Sequence, residues 1–353
     1  MKTILYAFKD FDENGGAEKN LIEVAKHAKK NNNVLFLVAS GYDSKKLKIL
    51  GRIFSFPSKG KKIFFIFDVL FILYLTLKYK IDIIHSHHRY PSFIASTLKP
   101  LAKFKLLTTV HNVFPDKENF SSWGEHAIAV SRSVYDWVIS GNKYNESDIS
   151  VVYNGILTPQ NHTDDDLAEL KKEISYNSGY QYLCTVGRLS EQKNYSLLFD
   201  ILSAIDDKNW RLLLVGNGEQ KNILKKLSID LHIDENIIFM GQRNDIDKIM
   251  QISDLFLLSS KWEGFPYVVI EALSNGLPVL STDVGGIHEA ISNNNTGFLF
   301  KIKDTKKYKD TLNMVLKDNA LKKSMSINCV KIFEKNFTIS EMLRKTDSIY
   351  KNI

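Results

Sequence analysis

The chain of 353 residues carries only two cysteines, Cys184 and Cys329. That excludes a disulfide framework and suits a reducing compartment. No apolar run reaches the ~20 residues a membrane span needs. The most apolar stretch, IFFIFDVLFILYLTL at 63–77, is shorter and is interrupted by Asp68. No leader is visible either: after Met1-Lys2-Thr3 a short apolar run soon meets Lys9 and Asp10, so a cytoplasmic location is expected. A dinucleotide G-x-G-x-x-G pattern is missing, which sets aside a nicotinamide cofactor. The net charge of +7 permits nucleic acid, anionic lipid or a phosphorylated small molecule as partner. With no zinc-finger or RNP sequence, nucleic acid ranks last.

What is present is a repeated strand-then-helix order. KTILYAF (2–8) reads as a strand, and Leu21, Ile22, Val24, Ala25 and Ala28 recur at helical spacing over about 17–30. Strands follow at VLFLVAS (34–40), IDIIHSHH (81–88), LLTTVHN (106–112), the start of 126–138 and ISVVYNGI (149–156). Residues 158–180, with Pro159 and Asp164–Asp166, read as a solvated connector plus a short helix. The pattern restarts at YLCTVGRLSEQKN (182–194) and runs through strands near 210–219, 236–242 and 254–258, a strand, Gly285-Gly286 turn and helix over 278–291, and a strand at 296–300 to a terminal helix at 338–353. The length fits two domains, each a doubly wound parallel α/β sheet.

Candidate chemistry gathers at strand ends. Glu263 and Glu271 lie eight apart in SSKWEGFPYVVIEALSNG (259–276), where Pro266 fits the first turn of a helix and Gly276 its left-handed end. Two acids beside a helix N-terminus at the carboxyl edge of a parallel sheet suit a polyol phosphate; solvated surface acids are the plain alternative. Arg188 and Lys193, in a loop opening a helix, can clamp a diphosphate or simply face solvent. Gly15-Gly16 either lets backbone amides approach an anion or makes a tight turn. His85, His87, His88 and His111 end two strands; without a Cys or Asp cluster, a polar pocket is preferred over a metal site. The stretch 59–80 rims an apolar helix with Lys59, Lys61, Lys62, Lys78 and Lys80. It is either a buried crossover helix or one that rests on an anionic leaflet, one face for each role.

Taken together, GGAE (15–18), HSHH (85–88), YNGI (153–156), VGRLSEQKN (186–194), VGNGE (215–219) and EGFPYVVIEAL (263–273), in this order, resemble the group 1, or family-four, retaining glycosyltransferases of the GT-B fold. The resemblance spans essentially the whole chain. It implies two facing Rossmann-like domains with a cleft between them: an acceptor domain (1–157), a linker (158–180), a nucleotide-sugar domain (181–337) and a C-terminal helix (338–353) crossing back. It implies Arg188 and Lys193 at the donor diphosphate, with Gly15 and Gly16 approaching it. Glu263 would meet the transferred sugar and Glu271 the ribose. Gly264, Phe265, Pro266, Tyr267 and Val268 would form a phosphate cradle. Gly216, Gly218 and Arg243 would lie near the base, His111 near the sugar, and His85 and His88 near the acceptor. The implied reaction transfers a sugar from a nucleoside-diphosphate sugar with no cofactor and no divalent metal; a hexose or N-acetylhexosamine from a UDP-sugar is expected, and the basic, apolar stretch 59–80 motivates a lipid-linked glycan acceptor. A sugar-nucleotide epimerase, a non-catalytic sugar-binding protein and a histidine-based metal hydrolase are the alternatives.

Overall fold

The computed structural model describes residues 1–12, 15–40, 43–59, 65–113, 122–142 and 144–353. Lys61, Lys62, Ile63 and Phe64 of the basic, apolar stretch lie outside the described residues. The chain divides into two units, Met1–Gly155 joined by Ile339–Ile353, and Ile156–Thr338.

The first unit holds seven strands: β1 (Thr3–Asp10), β2 (Asn33–Ser40), β3 (Arg52–Ser55), β4 (Ile83–Ser86), β5 (Lys105–Val110), β6 (His126–Ala129) and β7 (Ile149–Val151). Its helices are α1 (Gly16–Ala28), α2 (Lys45–Leu50), α3 (Phe65–Tyr79), α4 (Arg89–Thr97) and α5 (Arg132–Asn142). All pairings are parallel, in the order β3-β2-β1-β4-β5-β6-β7. A parallel sheet is covered on both faces, so its strands are apolar throughout. The twofold alternation of β1 sorts the two covers: Ile4, Tyr6 and Phe8 join the cluster with α1, and Leu5 and Ala7 join the cluster with α3 and α4.

Helix α3 is a crossover helix with two unlike faces. Ile72 and Leu75 are fully buried, and so is Asp68, which accepts from the Ser58 backbone N–H and hydroxyl and from the Tyr90 hydroxyl. Burial, followed by this bond to Asp68, pushes the Tyr90 hydroxyl up to about 12. Around the helix Ile66, Phe67, Leu70, Tyr74 and Leu77, at steps of three and four, are each about half exposed or more.

The second unit holds α6 (Asp164–Glu173), β8 (Gln181–Val186), α7 (Tyr195–Ser203), β9 (Trp210–Val215), α8 (Lys221–Asp230), β10 (Ile237–Gly241), α9 (Ile246–Gln251), β11 (Leu255–Leu258), α10 (Tyr267–Ser274), β12 (Val279–Thr282), β13 (Gly297–Phe300), α11 (Thr305–Lys317) and α12 (Asn319–Asn336). Its six strands pair in parallel as β10-β9-β8-β11-β12-β13. Residues 158–180 are part of this unit and not a free connector. Thr163 and Asp166 form a capping box on α6, His162 meets Asp247 at 2.6 Å, and Arg243 reaches Glu173 at 2.8 Å.

The strand order reverses between β1 and β4 in one sheet and between β8 and β11 in the other. Loops diverge at such a point and leave a crevice at the carboxyl edge, where ligands bind in open α/β sheets. Glu263 and most of the candidate histidines follow strands at or beside these two points, and Glu271 lies on the helix that follows β11.

The last helix, α13 (Ile339–Asn352), packs on the first unit: Met342, Ile349 and Tyr350 sit in the core with Ile4, Tyr6 and Leu21. Its Tyr350 hydroxyl bridges the Tyr6 hydroxyl at 2.8 Å and His85 Nδ1 at 2.6 Å, and His27 meets Asp347 at 2.6 Å. Tyr350→Phe strands two buried polar atoms, which costs roughly 1–3 kcal/mol. Urea unfolding of the two proteins should show that loss, and an unchanged midpoint would remove the bridge from the account of stability.

Candidate functional site

In the second unit the loop after β8 (187–194) and the loop after β11 (259–266) lie side by side at the reversal point. Lys193 Nζ stands 2.6 Å from Glu263 Oε1, with both side chains largely buried. The Ser260 hydroxyl donates to the same carboxylate oxygen at 2.7 Å, and the Gln192 amide reaches the other one at 3.5 Å. Further bonds tie the loops together. Ser259 donates to the carbonyls of Lys193 and Asn194, the Lys261 N–H donates to the Gln192 carbonyl, and Gln192 donates to the Trp262 carbonyl. Asn194 takes a left-handed turn (φ 51°), which ends the loop and lets α7 begin.

An exposed ion pair contributes little, but a buried one with added hydrogen bonds fixes geometry, because removing either partner leaves an unpaired charge. Arg188 is different: it is exposed, and its guanidinium has no partner among the described residues. The loop therefore offers one cation held in a pair and one open to an incoming anion.

Glycines bring further loops against this pair. Gly285 is left-handed (φ +57°), and a Cβ there would lie 2.0 Å from the Glu263 carbonyl oxygen. The Gly286 N–H donates to the Gly264 carbonyl at 2.7 Å. The helix expected after Gly285-Gly286 is a single 3-10 turn, Ile287–Glu289. Gly216 (φ +141°) lets the loop after β9 meet Gly187, whose carbonyl oxygen would be 1.9 Å from an added Cβ. Gly216 and Gly218 thus brace the loop that carries Arg188.

Helix α10 starts beside Glu263. Pro266 is its N-cap and has no N–H, so it adds no donor to the cradle expected at 264–268. The side chains of Phe265 and Tyr267 turn into the core, and the Phe265 ring packs on Phe337 at 5.3 Å. What this segment offers at the sheet edge is backbone: the first-turn N–H groups at Tyr267 and Val268, which have no acceptor within the helix. Glu271 is half-buried one turn into α10, and Gly276 closes the helix with φ +65°. Arg243 is held elsewhere: it pairs with Asp245 at 2.7 Å and Glu173 at 2.8 Å, bonds that raise its already high pKa.

In the first unit Gly15 caps α1 and Gly16 opens it, directly after β1. Buried Glu18 lies under the turn and accepts from the Asp12 N–H at 3.4 Å. His85 does not reach an acceptor site. It is fully buried beneath α13, with Nδ1 on Tyr350 and Nε2 on Thr109 at 2.8 Å. Strand alternation turned it inward, and no substrate can touch it. His88 caps α4, accepting the Tyr90 N–H at 3.3 Å, and burial lowers it to about 4. His111, at the end of β5, is half-buried and holds His87 Nδ1 at 3.1 Å from its Nε2; burial pulls His85 and His111 down to about 3. All three are neutral at pH 7. Among the described residues no three His, Cys, Asp or Glu side chains are grouped to hold a metal ion.

Two family models match in succession: Glycosyltransferase Family 4 over residues 14–158 and Glycosyl transferases group 1 over residues 166–331. The chain belongs to the group 1 glycosyltransferases. This glycosyltransferase is 28% identical over 291 residues to the N-acetyl-alpha-D-glucosaminyl L-malate synthase of Bacillus anthracis, covering 77% of this chain and 75% of that one. It is 31% identical over 208 residues to an Escherichia coli UDP-Gal:alpha-D-GlcNAc-diphosphoundecaprenol alpha-1,3-galactosyltransferase, covering 57% and 54%. The crystal structure of Anabaena HepE in complex with UDP-glucose superposes with a TM-score of 0.88 at 20% identity over 100% of both chains. That likeness establishes the GT-B fold of two Rossmann-like domains.

Sequence reasoning passed over Ser260, Gln192 and Tyr350, whose hydroxyls and amide set the geometry. Their only signal is position next to a charged candidate, or none at all. Replacing Lys193 by Met leaves Glu263 as an uncompensated buried charge and should cost roughly 3–5 kcal/mol of stability. Adding Glu263→Leu should restore most of that loss in chemical denaturation. Additive losses in the double variant would show that the two side chains are not coupled.

Proposed function

We propose that this glycosyltransferase moves a hexose or N-acetylhexosamine, with retained anomeric configuration and without a divalent metal, from a UDP-sugar to a lipid-linked glycan of a surface polysaccharide. The observation that carries the reading is the Lys193–Glu263 pair beside Arg188, which has no partner among the described residues, and the α10 N-terminus, all at one reversal point. The diphosphate meets Arg188, Lys193 and the first-turn N–H groups, and Glu263 turns its carboxylate to the sugar hydroxyls. Glu271 takes the ribose, Gly16 the donor phosphates and His111 the sugar.

In the reaction the bond between the anomeric carbon and the β-phosphate oxygen breaks, and its electron pair leaves with the nucleoside diphosphate. The acceptor hydroxyl oxygen bonds to the same face of that carbon, and its proton passes to the departing phosphate oxygen. Arg188 and Lys193 stabilise the growing negative charge. No separate carboxylate pair is committed to a covalent intermediate. Relatives whose names include a UDP-galactose donor on a diphosphoundecaprenol acceptor, and a lipopolysaccharide core mannosyltransferase, support this substrate class.

A lipid-linked acceptor places the enzyme at the inner face of the cytoplasmic membrane. The exposed stripe Ile66, Phe67, Leu70, Tyr74 and Leu77, ending at Lys78, would rest there; no helix among the described residues is long and apolar enough to cross.

Thermal-shift measurement against nucleoside diphosphates and their sugars should show selective stabilisation by UDP and one UDP-sugar. Arg188→Ala should keep the unliganded melting temperature and lose about 10²–10³-fold in kcat/KM. Stabilisation by no nucleotide would sink the donor assignment, and turnover of donor without an acceptor would favour an epimerase. For the membrane contact, anionic vesicles should float the wild-type protein and release Leu70→Glu/Leu77→Glu; equal flotation of both would remove α3 from that role.

A further inference from the structure

The buried histidines under the end of β4 decide what His111 can do. The His87 and His111 rings stack with centroids 5.3 Å apart at 22°, and His87 Nδ1 lies 3.1 Å from His111 Nε2. Burial holds both well below their ordinary range, with the neighbouring histidines adding to the shift, so both rings are neutral at pH 7. A neutral imidazole has one N–H and one bare nitrogen, and the bond made by one nitrogen fixes the state of the other. A hydrogen bond between two neutral rings therefore has two arrangements that exclude each other.

If His111 Nε2 carries the proton, His87 must carry its own on Nε2. That atom is buried and has no partner among the described residues, so it would be an orphaned donor. If His87 donates from Nδ1, its Nε2 is a bare acceptor and His111 carries its proton on Nδ1. Among buried backbone groups an orphaned N–H is rarer than an under-satisfied acceptor, and the same ordering favours the second arrangement. The open nitrogen of His111 does not choose between them, because Nδ1 is not enclosed and can meet solvent or ligand in either form.

The surroundings hold this arrangement rigid. The His85 ring packs 4.3 Å from His87, with its two nitrogens fixed by Tyr350 and Thr109, and the Tyr6 ring closes another side of His87 at 6.1 Å.

We propose that His87 is a positioning residue that donates from Nδ1 to His111 and locks His111 with its proton on Nδ1. His111 then meets the sugar as a neutral hydrogen-bond donor and has no free basic nitrogen, so it is not the base that takes the acceptor proton. The role at the sugar rests on the function proposed above, whereas the proton position belongs to the protein alone.

Long-range proton–nitrogen correlation NMR of the full chain carrying ¹⁵N-histidine, at pH 7.5 without ligand, reads the proton position directly. His111 and His87 should each show a protonated Nδ1; a protonated Nε2 on His111, or an averaged signal, overturns the proposal. If transfer activity is found, His111→Gln, which still offers an N–H, should keep about tenfold more kcat than His111→Leu. Equal loss in both variants overturns the donor role and leaves the proton position standing. His87→Leu, checked for folding by its melting temperature, should give an averaged His111 signal, and an unchanged one overturns the positioning role.

Discussion

A lysine and a glutamate, each costly to bury alone, are buried together where the second sheet reverses direction. That pair sets the arrangement around it. Glu263 can leave solvent only because Lys193, Ser260 and Gln192 answer its oxygens. Lys193 is held in its loop because Ser259 donates to its carbonyl and to that of Asn194. Gly285 and Gly216 then allow two more loops to close on the same spot with no side chain in the way. The result is a preorganised polar floor beside a helix N-terminus, with the exposed Arg188 side chain of the same loop unpartnered among the described residues.

The first unit solves a related problem with neutral groups. Its reversal point gathers histidines that burial keeps uncharged, and the last helix of the chain bonds one of them, His85. Tyr350 travels from the far end of the sequence to bridge Tyr6 and His85. The C-terminal helix is thus a structural part of the first unit and contributes to how rigidly the histidines stand.

Much of the fold was legible because parallel α/β sheets write a strong local pattern: buried strands of four to eight apolar residues, then amphipathic helices. Strand β1, helix α10 and the terminal helix each came out within a few residues of the reading. The helix at Asp164–Glu173 was also visible, but not its allegiance, since that depends on Arg243 reaching Glu173 across 70 positions of sequence. The same contact engages Arg243, which the resemblance had implied near the base. His85 was misassigned to the acceptor for a similar reason. Alternation shows which residues share a face, but not which face a distant helix will cover.

The sequence by itself determined the class of fold, the family and the strand ends where chemistry gathers, because those follow from periodicity and from residues near one another in the chain. Only the tertiary structure decided which charged groups neutralise one another and which remain open. Lys193 and Glu263 are paired, Arg188 has no partner among the described residues, His85 is sealed, and His111 is half-buried. Those outcomes depend on burial and on distances of a few ångströms between loops 70 residues apart, and electrostatic energies change steeply with both.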